Sequence, residues 1–211
     1  MAQKVRSLLI ALLAFAITAL TPAAAGAASF NFESIPVNVK GKAQGNHVLD
    51  LAGGTLSCEE FKLEGSSTAL TQMTLLFPVV SYGGCTMFGV KAMVSTGKCM
   101  LELRSDGRFF FGPNSVECNS NPMTVDATVL TKKCHITLAS QILEKAVTYG
   151  NSGTGSSREV TMEVKASTGV FYKAEGELCK ETGSKTNGSY TSGPAALTAE
   201  RESWMFGMWW A

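Results

Sequence analysis

Two stretches of the chain carry the same alternation of apolar and polar positions: VKAMVSTGKCMLEL, from Val90 to Leu103, and VDATVLTKKCHITL, from Val125 to Leu138. They share Val, Ala, Val, Thr, Lys, Cys and a final Leu at equal spacing, thirty-five positions apart. Side chains alternate across a strand, so an apolar set recurring every second residue describes a β-strand with one buried face. With Thr96 and Gly97 as a two-residue turn, Val94 opposes Cys99, Ala92 opposes Leu101 and Val90 opposes Leu103. Lys91 then faces Glu102 on the outer side, an opposite-charge cross-strand pair, and Met93 faces Met100. With Thr131 and Lys132 as the second turn, Val129 opposes Cys134, Ala127 opposes Ile136 and Val125 opposes Leu138, and His135 points outward opposite Thr128. A slip of one residue would turn either apolar set to water, so the faces are strongly specified. Two duplicated hairpins in one core are expected, because a repeat seen clearly only twice is too short for a solenoid.

Weaker echoes surround these two. VTMEVKASTGVFYK keeps Ser-Thr-Gly but has Phe171 in place of the Cys, and TLSC and SVEC place Leu56 and Val116 two residues before Cys58 and Cys118. IPVNVKG, HVLDLAG, ALTQMTLLFPVVS, GRFFFG, REVTMEVKAS, NGSYTSG and SWMFGMWW are β-branched or aromatic runs bounded by Gly, Asn, Ser or Pro, and read as strands. Only SQILEKAVTY has room for a helix, of one or two turns, and GNSGTGSS (150–157) reads as a surface loop. Many short strands with Gly-rich turns predict an all-β fold, an antiparallel β-sandwich or barrel-like domain. An outer-membrane barrel also alternates its faces, but six cysteines and short, uneven strands speak against it.

The N-terminus changes the picture of where the chain works. Lys4 and Arg6 precede the apolar run SLLIALLAFAITAL, which is followed by Pro22 and AAAGAAS. This is the pattern of a secretory signal peptide, cleaved after Ala27 or Ala28; a membrane-spanning helix needs about 20 apolar residues. The expected organisation is a signal peptide over 1–28 and a single all-β secreted domain over 29–211, with no transmembrane span after cleavage. Loss of Lys4 and Arg6 takes the formal charge from +1 (18 − 17) to −1 (16 − 17). Near-neutral charge with scattered signs leaves no footprint for nucleic acid.

All six cysteines, Cys58, Cys85, Cys99, Cys118, Cys134 and Cys179, follow the signal peptide, and an even count behind one reads as three disulfides. Six cysteines allow 15 pairings; nearest neighbours, Cys58 with Cys85, Cys99 with Cys118 and Cys134 with Cys179, are the expectation. No C-x-x-C occurs, and His47 and His135 are the only histidines, so the sequence offers neither a metal site nor a cofactor motif.

Catalytic signatures are equally sparse. GNSGT fails as a nucleophile elbow at its last position, and STGKC puts Cys99 where a phosphate loop needs Ser or Thr. His135 reads as a half-exposed strand residue, while His47 and Asp50 fall on opposite faces of one strand. Glu59, Glu60 and Glu64, and Glu175, Glu177 and Glu181, read as solvated turn acids around cysteines, and Asn187-Gly-Ser is a glycosylation sequon. The tail SWMFGMWWA supplies Trp204, Trp209 and Trp210 as candidate binding residues for a sugar or peptide. Against this, large aromatics are mostly buried, and the tail is expected to be the last strand, with Phe206 and one tryptophan in the core.

The succession GGTLSC, YGGCTMFG, the paired C-x-[LI]-x-L segments, ELC and TNGSYTSG resembles a group of uncharacterised secreted, cysteine-containing β proteins of soil actinobacteria. The resemblance implies an exported, disulfide-bearing β domain with a strand at its very end, and brings no activity with it. The expected role is a non-enzymatic binding or adhesion module of the cell envelope or extracellular space, with carbohydrate or a cell-surface protein as partner. The alternatives are a secreted hydrolase acting on polysaccharide or peptide, and a self-associating surface-layer component.

Overall fold

The structure, a computed structural model, describes residues 27–211; the expected signal peptide, 1–28, lies outside them apart from Ala27 and Ala28. In chain order the strands are β1 (Phe30–Phe32), β2 (Val37–Ala43), β3 (His47–Leu51), β4 (Gly54–Ser67), β5 (Thr71–Gln72) and β6 (Thr74–Phe77). There follow β7 (Val79–Met87), β8 (Val90–Ser95), β9 (Leu101–Arg104), β10 (Phe109–Phe111), the short helix α1 (Ser115–Ser120), β11 (Met123–Val129) and β12 (Lys132–Leu138). Last come β13 (Gln141–Leu143), β14 (Val147–Ser152), β15 (Glu159–Glu175), β16 (Gly183–Ser192), β17 (Ala195–Arg201), β18 (Trp204–Phe206) and β19 (Met208–Trp210).

The fold is all-β, antiparallel and sandwich-like, and its largest sheet closes on itself. Pairings run β3-β4-β7-β8-β11-β12-β15-β16 and back to β3. β4 and β15 are long enough to hold a second neighbour along one edge, which attaches β2 and β17 to the circuit. β4 pairs with β3 through Gly54–Cys58 and with β2 through Lys62–Ser67; β15 pairs with β17 through Val160–Met162 and with β16 beyond Lys165. A closed circuit has no free edge. Among the described residues, only β14 and β18 of this sheet's twelve strands hold a single partner.

A four-stranded sheet, β13-β10-β9-β6, lays Leu101, Leu103, Phe109 and Phe111 into the shared core, where the Phe109 ring meets Tyr190 of β16 edge-on at 5.7 Å. A third sheet, β19-β1-β5, ties the two ends together: Phe30 pairs with Trp210, and Ser29 and Ala211 exchange backbone hydrogen bonds of 2.6 and 3.0 Å.

The repeated segments keep their predicted faces but not their predicted partners. The first is not a hairpin. β8 pairs instead with β11, setting Ala92 against Ala127 and Val94 against Val125, so the two copies pair with each other. Beyond Ser95 the chain is captured by the α1 region: Lys98 N–H donates to Asn121 O at 2.9 Å, Cys99 bridges to Cys118, and β9 enters the other sheet between β6 and β10. Glu102 consequently pairs with Arg104 at 2.5 Å and not with Lys91. The second copy is a hairpin, but its turn is Leu130-Thr131, Leu130 taking φ 55°, and its register is Ala127↔Cys134, Val125↔Ile136 and Met123↔Leu138. A shift of two residues preserves both faces and brings Asp126, in place of Thr128, opposite His135.

Three further expectations are corrected. SVEC forms α1, which turns Val116 outward, 83% exposed, while Cys118 stays buried. SQILEKAVTY is β13, a turn with Lys145 at φ 49°, and the start of β14. The third Ser-Thr-Gly is no turn: Gly169 sits inside β15, where the register with β16 shifts between Ala166 and Val170.

The three bridges are Cys58–Cys85, Cys99–Cys118 and Cys134–Cys179. The first joins directly opposed residues of β4 and β7, the second holds the crossover between sheets, and the third ties β12 to the segment before β16. Replacing Cys99 and Cys118 together by Ser is expected to cost about 2–4 kcal/mol in urea unfolding, because nothing else covalent fixes the crossover. A loss below about 0.5 kcal/mol, the range of an inconsequential surface change, would contradict that role.

Candidate functional site

The aromatic tail divides into two strands of different sheets. Gly207 separates them: a Cβ there would lie 2.5 Å from Gly155 O, and its N–H donates to Glu33 Oε2 at 2.8 Å. Before it, β17 and β18 form a hairpin whose two turn residues, Glu202 and Ser203, have φ 50° and 77°, as a tight right-twisted hairpin requires. Arg201 opposes Trp204 and Ala199 opposes Phe206, so these four share a face. Ala199 is buried, Phe206 packs on the core edge, and the Arg201 guanidinium lies 4.9 Å over the Phe206 ring. Trp204 projects beyond them and is 74% exposed; Met205 is exposed on the opposite face.

The other two tryptophans are engaged. Trp210 packs against the core 5.8 Å from the Tyr149 ring, donates Nε1–H to Ser105 O at 3.1 Å, and exchanges two 2.8 Å backbone bonds with the Asn151 amide. Trp209 is half-buried, with the Arg158 guanidinium 4.9 Å from its ring centroid. Of the three sequence candidates, Trp204 alone presents a bare face.

The two histidines have opposite environments. His135 is open to solvent on the outer face of β12, with Nδ1 2.7 Å from Asp126 Oδ1 and Nε2 3.3 Å from Thr137 Oγ1. Glu175 of β15 opposes it from the other side, its carboxyl held below the usual range by the Lys173 ammonium at 2.6 Å. A carboxylate, an imidazole and a hydroxyl therefore stand in hydrogen-bond contact, a grouping that the expected register, with Thr128 opposite His135, does not contain.

His47 is fully buried beside the Cys58–Cys85 bridge. Its ring stacks on Phe61 at 4.1 Å, and Nδ1 lies 2.5 Å from the Tyr190 hydroxyl, while Nε2 has no partner among the described protein groups. Burial lowers its pKa to about 4 and pushes Tyr82, against the same cluster, up to about 12. A neutral imidazole with both neighbouring phenols protonated is a core group.

A concave polar site lies elsewhere, at the β3–β4 turn. A pocket of about 210 Å³ is bounded by the turn, by Tyr172 of β15 and by Glu181 and Asn187 across from it. Asp50 accepts hydrogen bonds from the Thr55 hydroxyl at 2.6 Å and the Ser189 hydroxyl at 3.0 Å. Tyr172 donates to Asn187 Oδ1 at 3.1 Å, and Asn187 Nδ2 donates to Glu181 Oε2 at 3.2 Å. These residues lie on four separate segments, and no spacing in the sequence joins them.

Comparison with known proteins adds no relative: no family model, curated protein or solved structure matches the chain.

His47 gives a pH test of the buried cluster. Its folded pKa is depressed, so between its ordinary pKa of 6.5 and about 4 the unfolded chain takes up a proton that the folded chain refuses. Its contribution is fully present above pH 6.5, falls across that window by up to about 3 kcal/mol, and levels off below about pH 4. Urea unfolding between pH 4 and 7 should show this slope in the parent and a shallower one in His47→Leu; equal slopes would contradict it.

Proposed function

We propose that the chain is a binding module of the extracellular space or cell envelope, acting by docking, with Trp204 as its principal contact. The carrying observation is the bare Trp204 ring, 74% exposed, on a strand that has only one pairing partner. A flat indole offers large contact area at small entropic cost, and Trp and Arg are the side chains over-represented at binding hot spots; Arg201 stands directly opposite Trp204. The ring suits stacking on the C–H face of a sugar, and the adjacent free edge of β18 suits strand addition by an extended segment of a surface protein. Three disulfides fit an oxidising compartment, and among the described residues no helix is long and apolar enough to cross a membrane.

A second reading, a hydrolase of polysaccharide or peptide, is favoured by the Asp126–His135–Thr137 relay, in which the carboxylate orients the imidazole and the imidazole takes a proton from the hydroxyl. All three groups sit on two adjacent strands of an outward sheet face, where water competes for each of them. The docking reading needs no such exclusion of water and is preferred.

Trp204→Ala is expected to leave urea stability within about 0.5 kcal/mol of the parent and to lower retention at least tenfold in co-sedimentation with chitin, cellulose, peptidoglycan or whole cells. Equal retention of parent and variant on every support that holds the parent, or no retention of the parent on any of them, would reject Trp204 docking. Turnover of a nitrophenyl ester that vanishes in His135→Ala would move the assignment to the hydrolase.

A further inference from the structure

The pocket at the β3–β4 turn is held from several directions. Ala52 and Gly53 take φ 55° and 69° to make the turn, and a Cβ on Gly53 would lie 2.8 Å from the Lys180 Cβ, so the opposite wall approaches closely. That wall is fastened to the turn by two hydrogen bonds, from the N–H groups of Lys180 and Glu181 to Ala52 O at 3.1 and 3.2 Å. One residue earlier, Cys179 is bridged to Cys134 of β12. The floor is Tyr172, only 1% exposed, its hydroxyl fixed on Asn187. Glu181 is thus held opposite Asp50 by a disulfide, by backbone bonds and by an amide.

Its donors and acceptors are unbalanced. The Thr55 and Ser189 hydroxyls spend their protons on Asp50, Tyr172 spends its own on Asn187, and one Asn187 N–H is spent on Glu181. Among these side chains one amide N–H is left over. Each carboxylate offers about four lone-pair directions, of which Asp50 uses two and Glu181 one. What enters must donate.

Charge narrows the choice. Among the described residues no Lys, Arg or His nitrogen lies within 4 Å of either carboxylate, and Lys180 at the rim pairs with neither. The groups that hydrogen-bond the two carboxylates are all neutral donors. An ammonium brings three donors and one positive charge, and its bonds to carboxylates are roughly twice as strong as neutral ones. The volume, about 210 Å³, admits the ammonium together with part of its carrier.

We propose that this pocket binds a primary ammonium group, borne by a lysyl side chain or by an amino sugar. The site is separate from Trp204, and either assignment stands if the other fails. It also depends on the Cys134–Cys179 bridge, since reduction frees the wall that carries Glu181.

Calorimetric titration of the oxidised protein at neutral pH with glucosamine, Nα-acetyl-lysine amide, N-acetylglucosamine and calcium chloride tests this. Saturable binding of glucosamine, of the lysine amide or of both is expected, with N-acetylglucosamine, whose amine is blocked, at least tenfold weaker than glucosamine or undetectable. Binding of glucosamine alone identifies an amino sugar as the source, and of the lysine amide alone a peptide. Asp50→Asn and Glu181→Gln should each weaken binding at least tenfold at an unchanged melting temperature. If either variant melts early, loss of binding in the parent as the pH is raised through the amine's own pKa serves in its place. Equal binding of N-acetylglucosamine and glucosamine, binding of calcium without either amine, or no binding at all would overturn the proposal.

Discussion

Backbone hydrogen bonding around a closed circuit is the constraint on which the rest of this molecule depends. Every strand of the circuit has a partner on both edges, and β4 and β15, fourteen and seventeen residues long, each carry a second neighbour along one edge, through which β2 and β17 join the circuit. Strands of that length bend, and Gly169 lies where the pairing of β15 with β16 shifts register. A glycine also sets the distance between the layers. A Cβ on Gly65 of β4 would come within 2.3 Å of Leu76 O in β6, so the small sheet meets the large one backbone to backbone at that point.

The faces of the strands were legible from the alternation of side chains, and their partners were not. Ala92, Leu101, Leu103, Val125, Cys134 and Ile136 are all buried as the period of two demands. Alternation records which way a side chain points and is silent about which strand lies alongside. Val90–Leu103 makes the difference concrete: an ideal hairpin pattern is split between two sheets because Asn121 and Cys118 hold the residues that follow the turn. Likewise SVEC alternates too briefly to distinguish a strand from a helical turn, and the bridge at Cys118 is compatible with either.

The candidate sites were legible in proportion to how local they are. Trp204 could be named from the sequence together with Trp209 and Trp210, because a ring needs only its own strand to display it, but which of the three is bare depends on the split of the tail between two sheets. The Asp126–His135 contact turned on a register error of two residues, invisible to any test of burial because it changes neither face. The pocket was beyond reach. From the sequence Asp50 bears only on His47, Glu181 is an acid near a cysteine and Asn187 is part of a sequon, while Phe171 in the inward Cys position would turn Tyr172 outward; Tyr172 is buried instead, and its hydroxyl reaches Asn187.

Closure of the circuit also limits where the proposed binding sites can lie. Strands whose two edges are both paired offer a partner only side chains on an outer face, in full competition with water, as at His135. The hairpin of β17 and β18 escapes this because β18 has one free edge. The β3–β4 turn escapes it differently, since the segment tied down by Cys179 folds over the turn and makes a concavity that the sheet itself cannot provide. Disulfides in this chain therefore do more than restrict the unfolded state. The Cys58–Cys85 bridge lies between strands already paired and adds little shape. The other two hold chain segments in places where no ladder of hydrogen bonds would keep them, and one of those segments forms the wall of the pocket.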